Sequence, residues 1–220
     1  MNISAARLLL FGFLLIQSSV AFAAEPRTVI VFGDSITHGS ALPKEQQGQI
    51  WMALIQKQTE GKLKLVNEGK GGRPTNSVKE FEAMLLKHKQ ADQLVISLGT
   101  NDSRDITDQC VPKAVTNITA MITKARAAYG EKLPILLVGP PNINKAALGP
   151  TKPIANEREG KLKELGAAFE KLAKEKNCDY VSLFGVVPDT SLLKDGVHPD
   201  VAGNVPIAET ILPKLVAVKK

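Results

Sequence analysis

Short apolar runs alternate along this chain with longer stretches in which apolar residues return every three or four positions. Residues 29–32, 94–98, 135–138 and 180–184 are continuous or nearly continuous apolar segments, and residues 62–67 alternate apolar with polar, so all five read as strands. Helical spacing predicts helices over about 45–59, from Thr75 or Asn76 to 89, over 112–129, over 154–176 and over 201–218. Trp51 shares its stripe with Ile50, Leu54 and Ile55, which makes it a core residue, and Pro213 predicts a kink or break in the last helix. Five strands alternating with helices form an α/β protein: one parallel sheet with helices on both faces, joined by right-handed crossovers.

That topology has a chemical consequence. The segment after every strand emerges on the same sheet edge, so Ser35, Gly72, Asn101 and the long loop after Val138 are expected to converge. The loop, reaching to about Pro153, is long enough to form a pocket wall.

Composition adds little until the N-terminus. The 220 residues are 44% hydrophobic and 23% charged, with no repeat or linker, which fits one globular domain over 24–220. Residues 1–23 carry Arg7 alone as a charge, then an apolar run from Leu8 to Ile16, then Ala21-Phe22-Ala23. This is the layout of a secretory signal cleaved after Ala23, too short to anchor the chain in a membrane, so an exported protein is expected. Cleavage removes one positive charge and takes the formal net charge from +6 to +5. The lysines are scattered, and no arginine cluster with interleaved aromatics marks a nucleic-acid binder. Three histidines and two cysteines without ligand spacing exclude an evident metal site. Export invites a disulfide, but Cys110 and Cys178 fall at opposite edges of the expected sheet, which argues against their pairing.

Chemistry enters at four places. Gly33-Asp34-Ser35 follows the first strand, where Gly33 is expected to permit a sharp turn. A serine hydroxyl needs an adjacent base to act as a nucleophile, and His198 is the natural candidate. Asp195, three residues earlier, is placed to hold the other ring nitrogen. An oxyanion needs donors, and the backbone N–H groups of Ser35 and Gly72 with the Asn101 side-chain amide would supply them. Gly72 is expected to matter because, lacking a side chain, its backbone can come close to the reacting centre. His38 reads as an exposed histidine rather than a second base.

The sequence resembles the SGNH/GDSL hydrolases at Gly33-Asp34-Ser35-Ile36-Thr37, Asn67 to Gly72, Gly99-Thr100-Asn101-Asp102 and Asp195-Gly196-Val197-His198-Pro199. These blocks span nearly all of the mature chain, in the family's order. The resemblance implies a flavodoxin-like three-layer α/β/α fold, no cofactor, a Ser35–His198–Asp195 triad and an oxyanion hole from Ser35, Gly72 and Asn101, with Gly71 as a one-residue alternative to Gly72. Asp34 and Arg73 are further candidates for substrate contact. The loop after Val138, rich in Pro, Asn and Lys, suits a short acyl group, most simply acetyl, on a polar alcohol such as a saccharide. A lysophospholipase or thioesterase, an acyltransferase with the same triad, and a catalytically silent carbohydrate-binding module are the competing expectations.

Overall fold

A computed structural model of the chain describes residues 25–217; the expected signal segment at 1–23 lies outside them. The strands are β1 (Arg27–Gly33), β2 (Leu63–Gly69), β3 (Gln93–Ser97), β4 (Ile135–Gly139) and β5 (Asp179–Ser182). They form one all-parallel sheet in the order β2-β1-β3-β4-β5. The helices are α1 (Ser35–His38), α2 (Trp51–Gln58), α3 (Val78–Lys87), α4 (Cys110–Tyr129), α5 (Ala155–Glu175) and α6 (Val201–Val216).

Alternation along β1 divides the core. Ile30 and Phe32 point to one face, where they pack with Leu94, Ile96, Ile135 and Leu137 beneath α3, α4 and α5. Val29 and Val31 point to the other and meet Val95, Leu136 and Val138 beneath α2 and α6. Trp51 is fully buried in that second layer, as its helical spacing predicts. Each such apolar side chain removed from water contributes about 1.5–3 kcal/mol before entropic costs, so the sheet is held from both sides.

Three local expectations change. The helix expected from residue 45 begins at Trp51, and Lys44–Gln49 form a 3-10 helix instead. The start is set from afar, because the Asn204 side-chain oxygen accepts the Trp51 N–H at 2.9 Å. Neither Thr75 nor Asn76 caps α3, whose first turn follows Ser77; the Thr75 hydroxyl bonds Asp102 instead. Finally, α6 continues through both Pro206 and Pro213. Pro213 lies exposed on the helix surface, where water can satisfy the carbonyl that loses its partner.

Both cysteines are free. Cys110 opens α4 and donates to the Asp102 carbonyl at 3.3 Å, while Cys178 sits just before β5.

Chain order reverses between β1 and β3. Crevices open at such switch points, and Ser35 follows β1 directly while Asn101 follows β3.

Candidate active site

Ser35 is the first residue of α1. Asp34 caps that helix by accepting the Ile36 N–H at 2.9 Å. Gly33 is required here for room rather than for an unusual dihedral, since a Cβ on it would stand 2.1 Å from Thr37 Oγ1. At Gly72 the reason is the reverse: its φ of +71° is the left-handed region, whereas nothing lies within 4 Å of where its Cβ would be.

The other partner comes from the turn before α6. Leu193 N–H bonds the His198 carbonyl at 2.7 Å and Gly196 N–H bonds Leu193 at 2.8 Å, so the turn closes on itself. The loop after β4 braces it through Asn144 N–H to the Gly196 carbonyl, also 2.8 Å. Asp195 Oδ1 accepts the backbone N–H groups of Val197 and His198, leaving Oδ2 2.6 Å from His198 Nδ1. His198 Nε2 lies 2.7 Å from Ser35 Oγ, across 163 positions of sequence. Burial pushes the Asp195 carboxyl up, but the hydrogen bonds from His198 and Val197 outweigh it and hold the group below the ordinary value.

Two further segments complete the floor. Asn101 Nδ2 donates one hydrogen to the Arg73 carbonyl at 3.2 Å, which fixes the amide and leaves its second hydrogen for the cleft. Asp102 accepts the Thr75 N–H and hydroxyl, clipping the segment after β3 to the segment after β2. Among the described residues the backbone N–H groups of Ser35, Gly71 and Gly72 have no protein acceptor. All three residues line a cleft of about 400 Å³ with Asn101, Asp195 and His198. The arrangement can deprotonate a hydroxyl and stabilise an anion beside it.

Two residues expected to touch substrate turn inward. The Arg73 guanidinium lies 4.0 Å from the centre of the Phe32 ring, donates to the carbonyls of Gly33 and Glu68, and pairs with Glu80 at 3.1 Å. It ties β1 to β2 and is buried; only its carbonyl serves the site, through Asn101. Asp34 is 2% exposed and acts as a helix cap. His38 is exposed at the end of α1. Thr75 and Asp102 hold the floor together, yet a Thr and an Asp in turns carry no sequence signal of that role.

Burial pushes the Asp34 carboxyl up to about 6, more than the Ile36 N–H, the Thr100 hydroxyl and the His198 charge can offset. Between about pH 4 and pH 6 the folded protein therefore keeps a proton that the unfolded chain has released, and stability declines as pH rises through that window. Asp34→Asn retains an acceptor for Ile36 and has no such titration. Its stability relative to the natural protein is expected to grow by about 2–3 kcal/mol between pH 4 and pH 7. Urea unfolding of both proteins across that range checks this, and a pH-independent difference contradicts it.

The comparisons with known proteins agree with the geometry. Residues 31–205 match the model of the GDSL-like lipase/acylhydrolase family. An uncharacterized lipoprotein of Bacillus subtilis, YqeF, is 35% identical over 86 residues, which cover 36% of this chain and 34% of that protein. The chain thus aligns with about a third of that relative's length. A putative arylesterase from Agrobacterium tumefaciens is 25% identical with a TM-score of 0.72, over 88% of this chain and 100% of that one. A carbohydrate acetylesterase family member from Sinorhizobium meliloti superposes with a TM-score of 0.73 over 86% and 97% of the two chains; at 22% identity it speaks for the fold. The match over most of the described residues, on a flavodoxin-like α/β/α sheet, places this chain in the GDSL-like lipase/acylhydrolase family, and it is a carboxylic ester hydrolase of the SGNH/GDSL type.

Proposed function

We propose that the chain is an exported serine esterase that removes acetyl groups from a polar alcohol, by way of an acyl-enzyme on Ser35. His198 takes the hydroxyl proton as Ser35 Oγ bonds to the ester carbonyl carbon. Asp195 keeps Nδ1 protonated and stabilises the imidazolium. The oxyanion is held by the N–H groups of Ser35 and Gly72 and by Asn101 Nδ2. Collapse of the tetrahedral intermediate breaks the ester C–O bond, and His198 returns the proton to the leaving alkoxide. Water then enters, gives a proton to His198 as its oxygen bonds to the acyl carbon, and collapse of this second intermediate breaks the Ser35 Oγ–C bond, releasing acetic acid as His198 returns the proton to Ser35 Oγ. Export rests on the signal-like residues 1–23. Among the described residues no helix is long and apolar enough to cross a membrane.

The acyl preference is carried by one observation. The apolar niche beside Ser35, walled by Ile36, Ala41, Leu42 and Pro199, has a volume of only about 10 Å³. That is about the space one water molecule needs, so the niche has no room for an alkyl chain. Asn101 also lines a groove of about 600 Å³ that presents Asn76, Gln109, Lys113, Thr116 and Asn117, hydrogen-bonding groups suited to a hydroxylated alcohol. The solved carbohydrate acetylesterase of the same fold is in keeping with this reading.

Rates on para-nitrophenyl esters of increasing chain length test it. We expect kcat/KM to be highest for acetate and to fall at least about tenfold by octanoate, as strain of 1–3 kcal/mol from overfilling a packed site would require. A maximum at octanoate or beyond would replace the acetyl reading with the lysophospholipase or thioesterase one.

A further inference from the structure

A second cleft of about 470 Å³ opens from Ser35 and His198 between the loop after β4 and the turn before α6. Ala147, Pro150 and Val197 give it an apolar side, and three cations stand around it: Arg104, Arg158 and Lys194. Its lining has one carboxylate, Asp195, and that group is committed to His198 at 2.6 Å. Arg104 and Lys194 are exposed and, among the described residues, join no ion pair.

Arg158 is the more telling member. It is 1% exposed, yet all its hydrogen-bond partners are neutral: Ser103 Oγ at 3.0 Å, Thr151 Oγ1 at 2.9 Å and the Thr100 carbonyl at 3.4 Å. Burial, with the neighbouring Arg104 charge, pulls its guanidinium down to about 10. A buried charge without a counterion is costly, and proteins ordinarily pair it. Here no carboxylate among the described residues pairs with the guanidinium, which stands on the wall of a cleft that contains the nucleophile.

We propose that this cleft receives an anionic group of the substrate, so that the ester hydrolysed is an acetylated acidic compound with a carboxylate or phosphate on its alcohol half. The assignment to the alcohol half rests on the acetylesterase reading above, because an acetyl group has no charge of its own to offer. Arg104 and Lys194 meet the anion at the cleft mouth, and Arg158 contributes its field from behind. Such an arrangement acts at short range in a partly desolvated site, where unit charges interact more strongly than in bulk water.

The test compares para-acetoxybenzoate with its neutral methyl ester, and para-nitrophenyl hydrogen succinate with para-nitrophenyl butyrate. The first pair puts the charge on the alcohol and the second on the acyl group. Arg104→Ala and Lys194→Ala are each expected to lower the anion-to-neutral ratio of kcat/KM for the first pair about fivefold, and raised salt should lower it in the natural protein. Taking the ratio within each protein cancels both leaving-group reactivity and any general loss of activity. A purely structural role for these cations would leave the ratio unmoved. Ratios unchanged in both variants overturn the proposal. So does a cation-dependent preference confined to the succinate pair, which would place the charge on the acyl side. Failure to turn over either acetate would overturn the acetylesterase reading itself, and is distinguishable because the neutral ester then fails as well.

Discussion

Replacing Ser35 with alanine is expected to lower kcat on para-nitrophenyl acetate by about 10,000-fold or more. Ser35 Oγ is 2.7 Å from His198 Nε2, and no other hydroxyl among the described residues bonds that nitrogen. His198 has no alternative nucleophile to activate except water, which would have to be held without a covalent intermediate. What survives is the contribution of oxyanion donors and binding, which in such sites retains about 1,000- to 10,000-fold over water. The backbone is spared, because the α1 cap belongs to Asp34 and not to Ser35. The urea midpoint should therefore stay close to that of the natural protein. Fluorophosphonate labelling gives the second readout: mass added to Ser35 in the natural protein and none in the variant. Turnover at the natural rate in Ser35→Ala would remove the mechanism proposed here, and a natural protein that neither takes the label nor turns over the ester would favour a catalytically silent binding module.

Asn101→Ala is expected to lower kcat by about 100- to 1,000-fold with a much smaller effect on KM, the mark of an interaction made chiefly in the transition state. The amide is held by its bond to the Arg73 carbonyl, so its free hydrogen is already aimed when negative charge develops on the substrate oxygen. Preorganisation of this kind is what makes a single donor worth about 3 kcal/mol. The variant also strands the Arg73 carbonyl, which predicts a modest loss of stability in addition. Steady-state kinetics with a parallel urea titration separates the two effects. A proportional rise in KM with kcat unchanged would show that Asn101 serves ground-state binding instead.

Much of this site is legible in the chain because parallel α/β topology does the assembling. Once five strands alternate with helices, every strand end lies on one edge, and Ser35, Gly72 and Asn101 need no further information to become neighbours. His198 and Asp195 are legible for a different reason: three residues with a glycine between them form a turn short enough for the carboxylate to reach its own imidazole. Arg73 was not legible. Its position after the glycine turn suggests a substrate contact, but the open face of Phe32 and the carbonyls of Gly33 and Glu68 hold the guanidinium inside. Those acceptors come from two other segments, and no local pattern announces them. Asp34 differs in the same way, since its capping bond to Ile36 and its burial together turn a charged residue inward.

Local chemistry by itself determined the alternation of elements, the parallel sheet, the buried place of Trp51 and the residues proposed for acyl chemistry, because periodicity and side-chain type are properties of short stretches. Only the tertiary structure decided where α2 begins, which side chains face the clefts, why Gly33 and Gly72 are each needed, and that Arg158 is buried without a counterion among the described residues. Each of these depends on contacts between segments far apart in the chain, such as Asn204 with Trp51 across 153 positions. Partners at that separation are chosen by packing, and packing exists only once the whole core has closed.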